Sequence, residues 1–237
     1  MKNFDYDTIS EGYYDEVFKR EKGVQSAWHH IKFDFVEKKI MDTKNHLDIG
    51  CGAGTFLGNY LKDKKRVGVD IAKGQVDYAK KYNNDENTDF LLYNNNLLPF
   101  KDKEFDTISF IEIIEHLNFY DTKILINEAK RCLKDDGCII LTTPNYLSLW
   151  PLLEIILNKV SKVNYEHQHI SKYNYFSLKK TVLKFDMKII EMGTLITFAP
   201  FLAVFSFRIS KFFSKINFFK FNLGFLLFVK IKKKTLK

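Results

Sequence analysis

Residues 47–54 read Leu47-Asp48-Ile49-Gly50-Cys51-Gly52-Ala53-Gly54, and residues 67–70 read Val67-Gly68-Val69-Asp70. The first stretch is an apolar strand end running into a glycine loop. The second is another short apolar strand, closed by an acid. Glycines let a backbone turn sharply and approach a ligand closely, and a carboxylate roughly 20 residues after such a loop can take both hydroxyls of a ribose. Together the two stretches read as a pocket for an adenine nucleoside, built on an α/β sheet.

Spacing separates the candidate nucleosides. The dinucleotide fingerprint G-x-G-x-x-G needs a third glycine where this chain has Thr55, and a Walker A loop needs Gly-Lys-Ser/Thr where the chain continues Thr55-Phe56-Leu57. Gly50, Gly52 and Gly54 give G-x-G-x-G instead, so phosphate cradling is not expected. Working outward, residues 89–92, 105–110, 138–141 and 225–229 have the apolar runs of short strands. Between them lie helical patterns, one carrying Ile124, Leu125, Ala129, Cys132 and Leu133, another covering 177–183, with a turn at Asp135-Asp136-Gly137. Strands alternating with helices predict a doubly wound α/β sheet with helices on both faces. A length of 237 residues suits one well-filled domain.

Three further stretches carry a resemblance. Asp48 to Gly54 spells D-x-G-C-G-x-G; Asn94 precedes Leu98-Pro99-Phe100 and Phe105-Asp106; and Arg131, Leu133, Lys134, Gly137, Pro144 and Asn145 follow at fixed spacing. Over roughly residues 45–193 this resembles the class I S-adenosylmethionine-dependent methyltransferases, ubiquinone-type O-methyltransferases among them. The resemblance implies a Rossmann-like sheet of about seven strands with an antiparallel last strand. It divides the chain into a helical cap (1–44), an S-adenosylmethionine-binding half (45–145) and an acceptor side (146–237). It also implies S-adenosylmethionine as cofactor, held by Asp48, Gly50, Cys51, Gly52, Gly54, Asp70, Ile71, Asn94, Asn95 and Ile111. Asn94 stands where the family usually has an Asp facing the adenine amino group, and an Asn carbonyl accepts the same hydrogen bond.

Methyl transfer from a sulfonium needs an aligned nucleophile and often the removal of its proton. Groups for that work should sit at the carboxyl ends of the central strands. Glu112, Glu115 and His116 follow the strand at 105–110 with spacing i, i+3, i+4, which puts them on one face if the segment is helical. Two carboxylates and an imidazole can hold a divalent ion such as Mg²⁺ or supply a base with an orienting partner. The Glu-x-x-Glu-His letters resemble those of ubiquinone-pathway O-methyltransferases and small-RNA 2′-O-methyltransferases, where they are linked to a metal. Relatives without a known metal share them, so a metal-free site stays open. In His167-Gln168-His169 the second histidine fits the family position best, as a further ligand or a base. Tyr13, Tyr14, Gln25 and Trp28 are candidate contacts from the cap; His29 and His30 are weaker ones.

The net charge of +8 is unevenly placed. No acid follows Glu191, and nine of the 37 basic residues do, which leaves 28 cations against 29 acids, about −1, in the rest. A near-neutral body argues against nucleic acid as partner. Over 198–219 a helical projection gathers Phe198, Phe201, Leu202, Phe205, Ile209, Phe212, Phe213, Ile216 and Phe219 on one face, with Ser206, Ser210, Ser214 and Asn217 opposite and Arg208, Lys211 and Lys215 on a border. Such a helix, inside an insertion at about 196–222, fits a lid, a dimer interface, or a peripheral membrane contact that lies on the bilayer without crossing it. Cys51, Cys132 and Cys138 have no C-x-x-C spacing and residues 1–7 lack a signal-peptide core, so a cytoplasmic chain, on the membrane's cytoplasmic face if it binds there, is expected. The expected activity is O-methylation of a small-molecule, lipid-linked or glycan acceptor. RNA 2′-O-methylation and a non-catalytic cofactor-binding module are the alternatives.

Overall fold

The computed structural model describes residues 9–40, 43–93, 97–160 (backbone alone for 156–160), 168–214 and 223–234. Two cap helices, α1 (Tyr13–Lys19) and α2 (Gly23–Lys39), precede β1 (Asn45–Ile49), α3 (Thr55–Asn59), β2 (Lys65–Asp70), α4 (Lys73–Tyr82) and β3 (Thr88–Leu92). Then follow β4 (Phe105–Ile111), a 3₁₀ turn (Ile114–His116), α5 (Phe119–Cys132), β5 (Leu133–Pro144), α6 (Trp150–Val160) and α7 (Tyr175–Leu183). The chain ends with β6 (Met187–Leu195), a 3₁₀ helix (Ala199–Val204), α8 (Phe207–Ser214) and β7 (Leu226–Lys233).

The seven strands form one sheet in the order β3-β2-β1-β4-β5-β7-β6. Strands β1 to β5 pair in parallel, whereas β7 runs antiparallel to both β5 and β6. The Rossmann-like sheet with its antiparallel last strand is therefore as the family resemblance implies. The chain steps from β1 outward to β3 and then returns to place β4 on the other side of β1. That reversal opens a crevice at the carboxyl ends of β1 and β4, where open sheets hold ligands.

Both faces of the sheet are buried. One carries Leu47, Ile108, Phe110, Ile139 and Leu141 against Ile126 and Ala129 of α5 and Leu178 and Val182 of α7. The other packs Phe33 and Val36 of α2, Phe56 and Leu57 of α3 and Val76 and Ala79 of α4 around Phe90. Helix starts follow local chemistry. The Asn118 side chain accepts from the Tyr120 and Asp121 amides at the head of α5, and Asn174 with Ser177 makes a reciprocal capping box on α7.

Three local expectations change. Leu133 does not continue α5: its backbone is extended (φ −77°, ψ 138°) and it pairs with Phe105, so the predicted turn at 135–137 lies inside β5, opposite a register shift on β4. Residues 112–116 form no continuous helix. Glu112 has φ +58°, and a single 3₁₀ turn begins two residues later. The helix projected over 198–219 is two helices, because Ser206 starts a new one. Its carbonyl accepts from the Ser210 amide and its hydroxyl from the Ile209 amide. Residues 215–219 of that projection lie outside the described residues.

Candidate functional site

The loop from β1 to α3 takes the left-handed backbone region at Gly50 (φ +78°), Gly52 (φ +51°) and Gly54 (φ +74°). Two of these glycines also face close packing. A Cβ at Gly50 would lie 2.0 Å from Ile113 Cδ1, and one at Gly54 would lie 2.6 Å from the Phe90 ring. At Gly52 a Cβ would meet nothing within 4 Å, so that glycine borders open space. Asp70 ties the loop to the end of β2. One carboxylate oxygen accepts from the Gly52 amide at 2.7 Å and the other from the Ala72 amide at 2.9 Å.

This loop forms one end of a cavity of about 600 Å³. Asp48, Gly50, Cys51, Gly52, Asp70, Ile71 and Ile111 line it, and so do Glu112, Glu115, His116 and His169. Gly54 stands behind the wall against Phe90, while Asn94, Asn95 and His167 lie outside the described residues. From the cap, Tyr14, Gln25, Trp28 and His29 reach the cavity. Tyr13 instead donates to Gln25, and the His30 Nε2 pairs with the Phe18 carbonyl while its ring stacks on Phe18.

Asp48 is buried under the loop, and its carboxylate accepts from the Ser109 hydroxyl. Ser109 Oγ lies 3.0 Å from His46 Nε2, and His46 Nδ1 lies 2.7 Å from Thr107 Oγ1, so a polar chain runs down the centre of the sheet. Burial, with Asp70 adding to it, pushes the Asp48 carboxyl up to about 7, although Ser109 and Lys32 pull the other way. Burial likewise pushes His46 down to about 3, which keeps it neutral.

At the far end, Glu115, His116 and His169 bring one ligand atom each within 4.8 Å of one another. His116 Nδ1 donates to the Gln168 carbonyl at 2.9 Å, which leaves the lone pair on Nε2. His169 Nδ1 is 2.7 Å from Glu154 Oε1 and 2.8 Å from the Tyr146 hydroxyl, the outer support that metal-ligating histidines usually have. Glu115 is 1% exposed; one oxygen accepts from Thr143 at 2.8 Å and the other, Oε1, has no hydrogen-bond partner. Burial and the neighbouring Glu112 push Glu115 up to about 8, and burial with His169 pushes His116 down to about 4. An orphaned carboxyl oxygen beside two imidazoles is a donor set that fits a divalent cation.

Glu112 is not part of that group. Its left-handed backbone turns the carboxylate toward α2, where it pairs with Lys32, a lysine only 3% exposed. Sequence reasoning missed Lys32. The signal was there in Gln25, Trp28, His29 and Lys32, spaced i, i+3, i+4, i+7 along one face of α2, all of which line the cavity. Trp150 and Leu153 of α6 and Gln168 were missed too.

The family profile described as "Methyltransferase domain" matches residues 47–141. An uncharacterized protein of Methanocaldococcus jannaschii is 33% identical over 160 residues, 67% of this chain and 58% of that protein. A ubiquinone biosynthesis O-methyltransferase of Pelagibacter ubique is 33% identical over 102 residues, 42% of this chain and 41% of its own. The chain thus spans about half the length of the curated relatives it matches. Among solved structures, a SAM-dependent methyltransferase from Thermotoga maritima aligns with a TM-score of 0.67 at 18% identity, covering 97% of this chain and 98% of that one. The magnesium protoporphyrin IX methyltransferase of Synechocystis, with bound SAH, aligns at 0.62 and 14% identity over 96% and 99%. Residues 47–141 thus carry the match to a methyltransferase domain, and the chain as a whole has the fold of S-adenosylmethionine-dependent methyltransferases.

Proposed function

We propose that this chain binds S-adenosylmethionine at the glycine-loop end of the cavity and transfers its methyl group to an oxygen of a small-molecule or lipid-linked acceptor. The observation that carries the reading is a single cavity with Asp48, Gly52 and Asp70 at one end and Glu115, His116 and His169 at the other. Asp70 would take the ribose hydroxyls while its amide contacts hold the loop in shape. Asp48, ionised beside the sulfonium and ammonium charges of the cofactor, would balance them.

A hydroxyl acceptor must lose a proton as its oxygen attacks the methyl carbon, and the thioether leaves without needing one. His169, with Nδ1 on Glu154, is oriented to receive that proton at Nε2. Where Glu115, His116 and His169 instead hold a divalent ion, His169 Nε2 would be a ligand and not the base, and the ion's Lewis acidity would lower the acceptor's pKa. The apolar walls from Trp28, Trp150 and Leu153 exclude water and suit an aromatic or aliphatic acceptor body. The O-methyltransferase name of the Pelagibacter relative supports oxygen as the nucleophile.

Isothermal titration calorimetry with S-adenosylmethionine and S-adenosylhomocysteine tests the cofactor half. Transfer of radiolabelled methyl groups to phenolic and lipid-linked hydroxyl compounds, with His169→Ala as control, tests the oxygen half. Methylation confined to amines or thiols would overturn the choice of oxygen.

A further inference from the structure

The insertion between β6 and β7 places its side chains opposite to the way a packed helix does. In α8, Ser210 is fully buried and donates to the Ala199 carbonyl at 2.7 Å, while Arg208, Ile209, Phe212 and Phe213 are exposed. In the preceding turn Ala199 and Ala203 face inward, whereas Phe198 (59%), Val204 (69%) and Phe205 (86%) face out. Ala199, Ala203 and Ser210 therefore make inner contacts alongside Phe201 and Phe207, which pack on Phe225 and His30, while six large apolar groups of the described residues stand on the outside. Leaving several large apolar side chains in water forfeits roughly 1.5–3 kcal/mol each relative to burial, so the face has a use beyond folding.

Charge narrows what covers it. No acid occurs from 192 to the last residue, and Arg208 and Lys211 border the apolar face. Lys211 Nζ lies 3.6 Å from Asp34 Oδ2 on α2. Other cations of this region serve the fold: Lys230 and Lys233 donate to the Lys39 and Leu133 carbonyls, and Lys234 pairs with Asp186. A second copy would bring the same cations against each other across a two-fold contact. An anionic surface with an apolar interior matches both features. No helix of the described residues is long and apolar enough to cross a membrane.

We propose that the outer face formed by Phe198, Val204, Phe205, Ile209, Phe212 and Phe213 docks this protein on the surface of an anionic lipid bilayer. The apolar groups enter the acyl boundary, and Arg208 and Lys211 stay at headgroup level. Behind this face, Ala199 and Phe201 join the cluster that contains Trp28 and Trp150, which also line the cavity. Docking would thus set the cavity wall one side-chain layer from the lipid.

The test uses the full chain and needs no methyl transfer. Co-sedimentation is measured with vesicles of phosphatidylcholine alone and of phosphatidylcholine mixed with phosphatidylglycerol, for wild type, F205S/F212S, R208Q/K211Q and F176S. Phe176 is a control, a phenylalanine on α7 whose exposure (69%) falls between those of Phe212 (63%) and Phe205 (86%). The expected result is binding of wild type and F176S to the mixed vesicles, weakened by salt. R208Q/K211Q should bind at least tenfold more weakly, and F205S/F212S should lose binding with an unchanged melting temperature. Wild type remaining in the supernatant with both vesicles overturns the proposal. So does equal binding by all four proteins, or a dimer in sedimentation velocity that F205S/F212S turns into a monomer. Cofactor calorimetry on the same samples separates these outcomes from failure of the methyltransferase reading.

Discussion

Replacing Asp48 by Asn should stabilise the protein while weakening cofactor binding, and the stabilisation should grow with pH. Asp48 is 3% exposed, and burial pushes its carboxyl from 3.8 up to about 7. Between those values the folded chain keeps a proton that the unfolded chain has released. Stability therefore falls as pH rises from about 4 to about 7 and is level above that. Each tenfold gain in proton affinity on folding is worth about 1.4 kcal/mol, so the ionised carboxylate costs the folded state about 4 kcal/mol at pH 8. Asparagine keeps the shape and the acceptor for the Ser109 hydroxyl and has no charge to desolvate. From about pH 5.5 to about pH 8 the advantage of D48N should widen by about 2 kcal/mol, or roughly 4–8 °C in melting temperature for a chain of this length. Glu115 is perturbed in both proteins and cancels in the difference. The assay is thermal unfolding of cofactor-free wild type and D48N across that range. A difference that stays constant with pH, or a variant less stable than wild type at pH 8, would refute the reasoning.

Two other outcomes are expected. Gly54→Ala forces a Cβ to 2.6 Å from Phe90 at φ +74°, so chemical denaturation should show a loss of about 1–3 kcal/mol, with cofactor affinity reduced as the loop shifts. If Glu115, His116 and His169 hold a cation, Mn²⁺ binding followed by electron paramagnetic resonance should weaken at least tenfold in Glu115→Gln. That change removes no volume, so unfolding should show the fold intact, and equal Mn²⁺ affinity in the variant would dismiss Glu115 as a ligand.

The sheet was legible because its strands are continuous apolar runs ended by Gly, Asp or Pro, and burial on both faces gives parallel strands that composition. The adenosine end was legible for a related reason: left-handed backbone at Gly50, Gly52 and Gly54 admits few residues other than glycine. The far end of the cavity was less so. The spacing of Glu112, Glu115 and His116 suggests one helix face, but Glu112 leaves β4 with positive φ and is drawn to Lys32, a contact 80 residues apart that no local pattern encodes. In the insertion, the hydrophobic wheel put Phe198, Phe205, Ile209, Phe212 and Phe213 on one face, and these are exposed together, but it also put there Phe201, which packs against Phe225, omitted Val204, and presumed one helix. Ser206 was the available signal for a break, being a residue type that favours an N-cap over a helix interior. Which side of the wheel faced the protein was settled by Ser210 bonding to Ala199.

The central claim is that the pocket closed by Asp70 holds S-adenosylmethionine. Calorimetric titration of the purified chain tests it most directly, with Asp70→Ala alongside. The account predicts one binding site per chain in wild type and affinity lower by about tenfold to a hundredfold in the variant, the loss of charge-assisted hydrogen bonds worth about 1.5–3 kcal/mol. Absence of heat with both S-adenosylmethionine and S-adenosylhomocysteine, or wild-type affinity in Asp70→Ala, would contradict it.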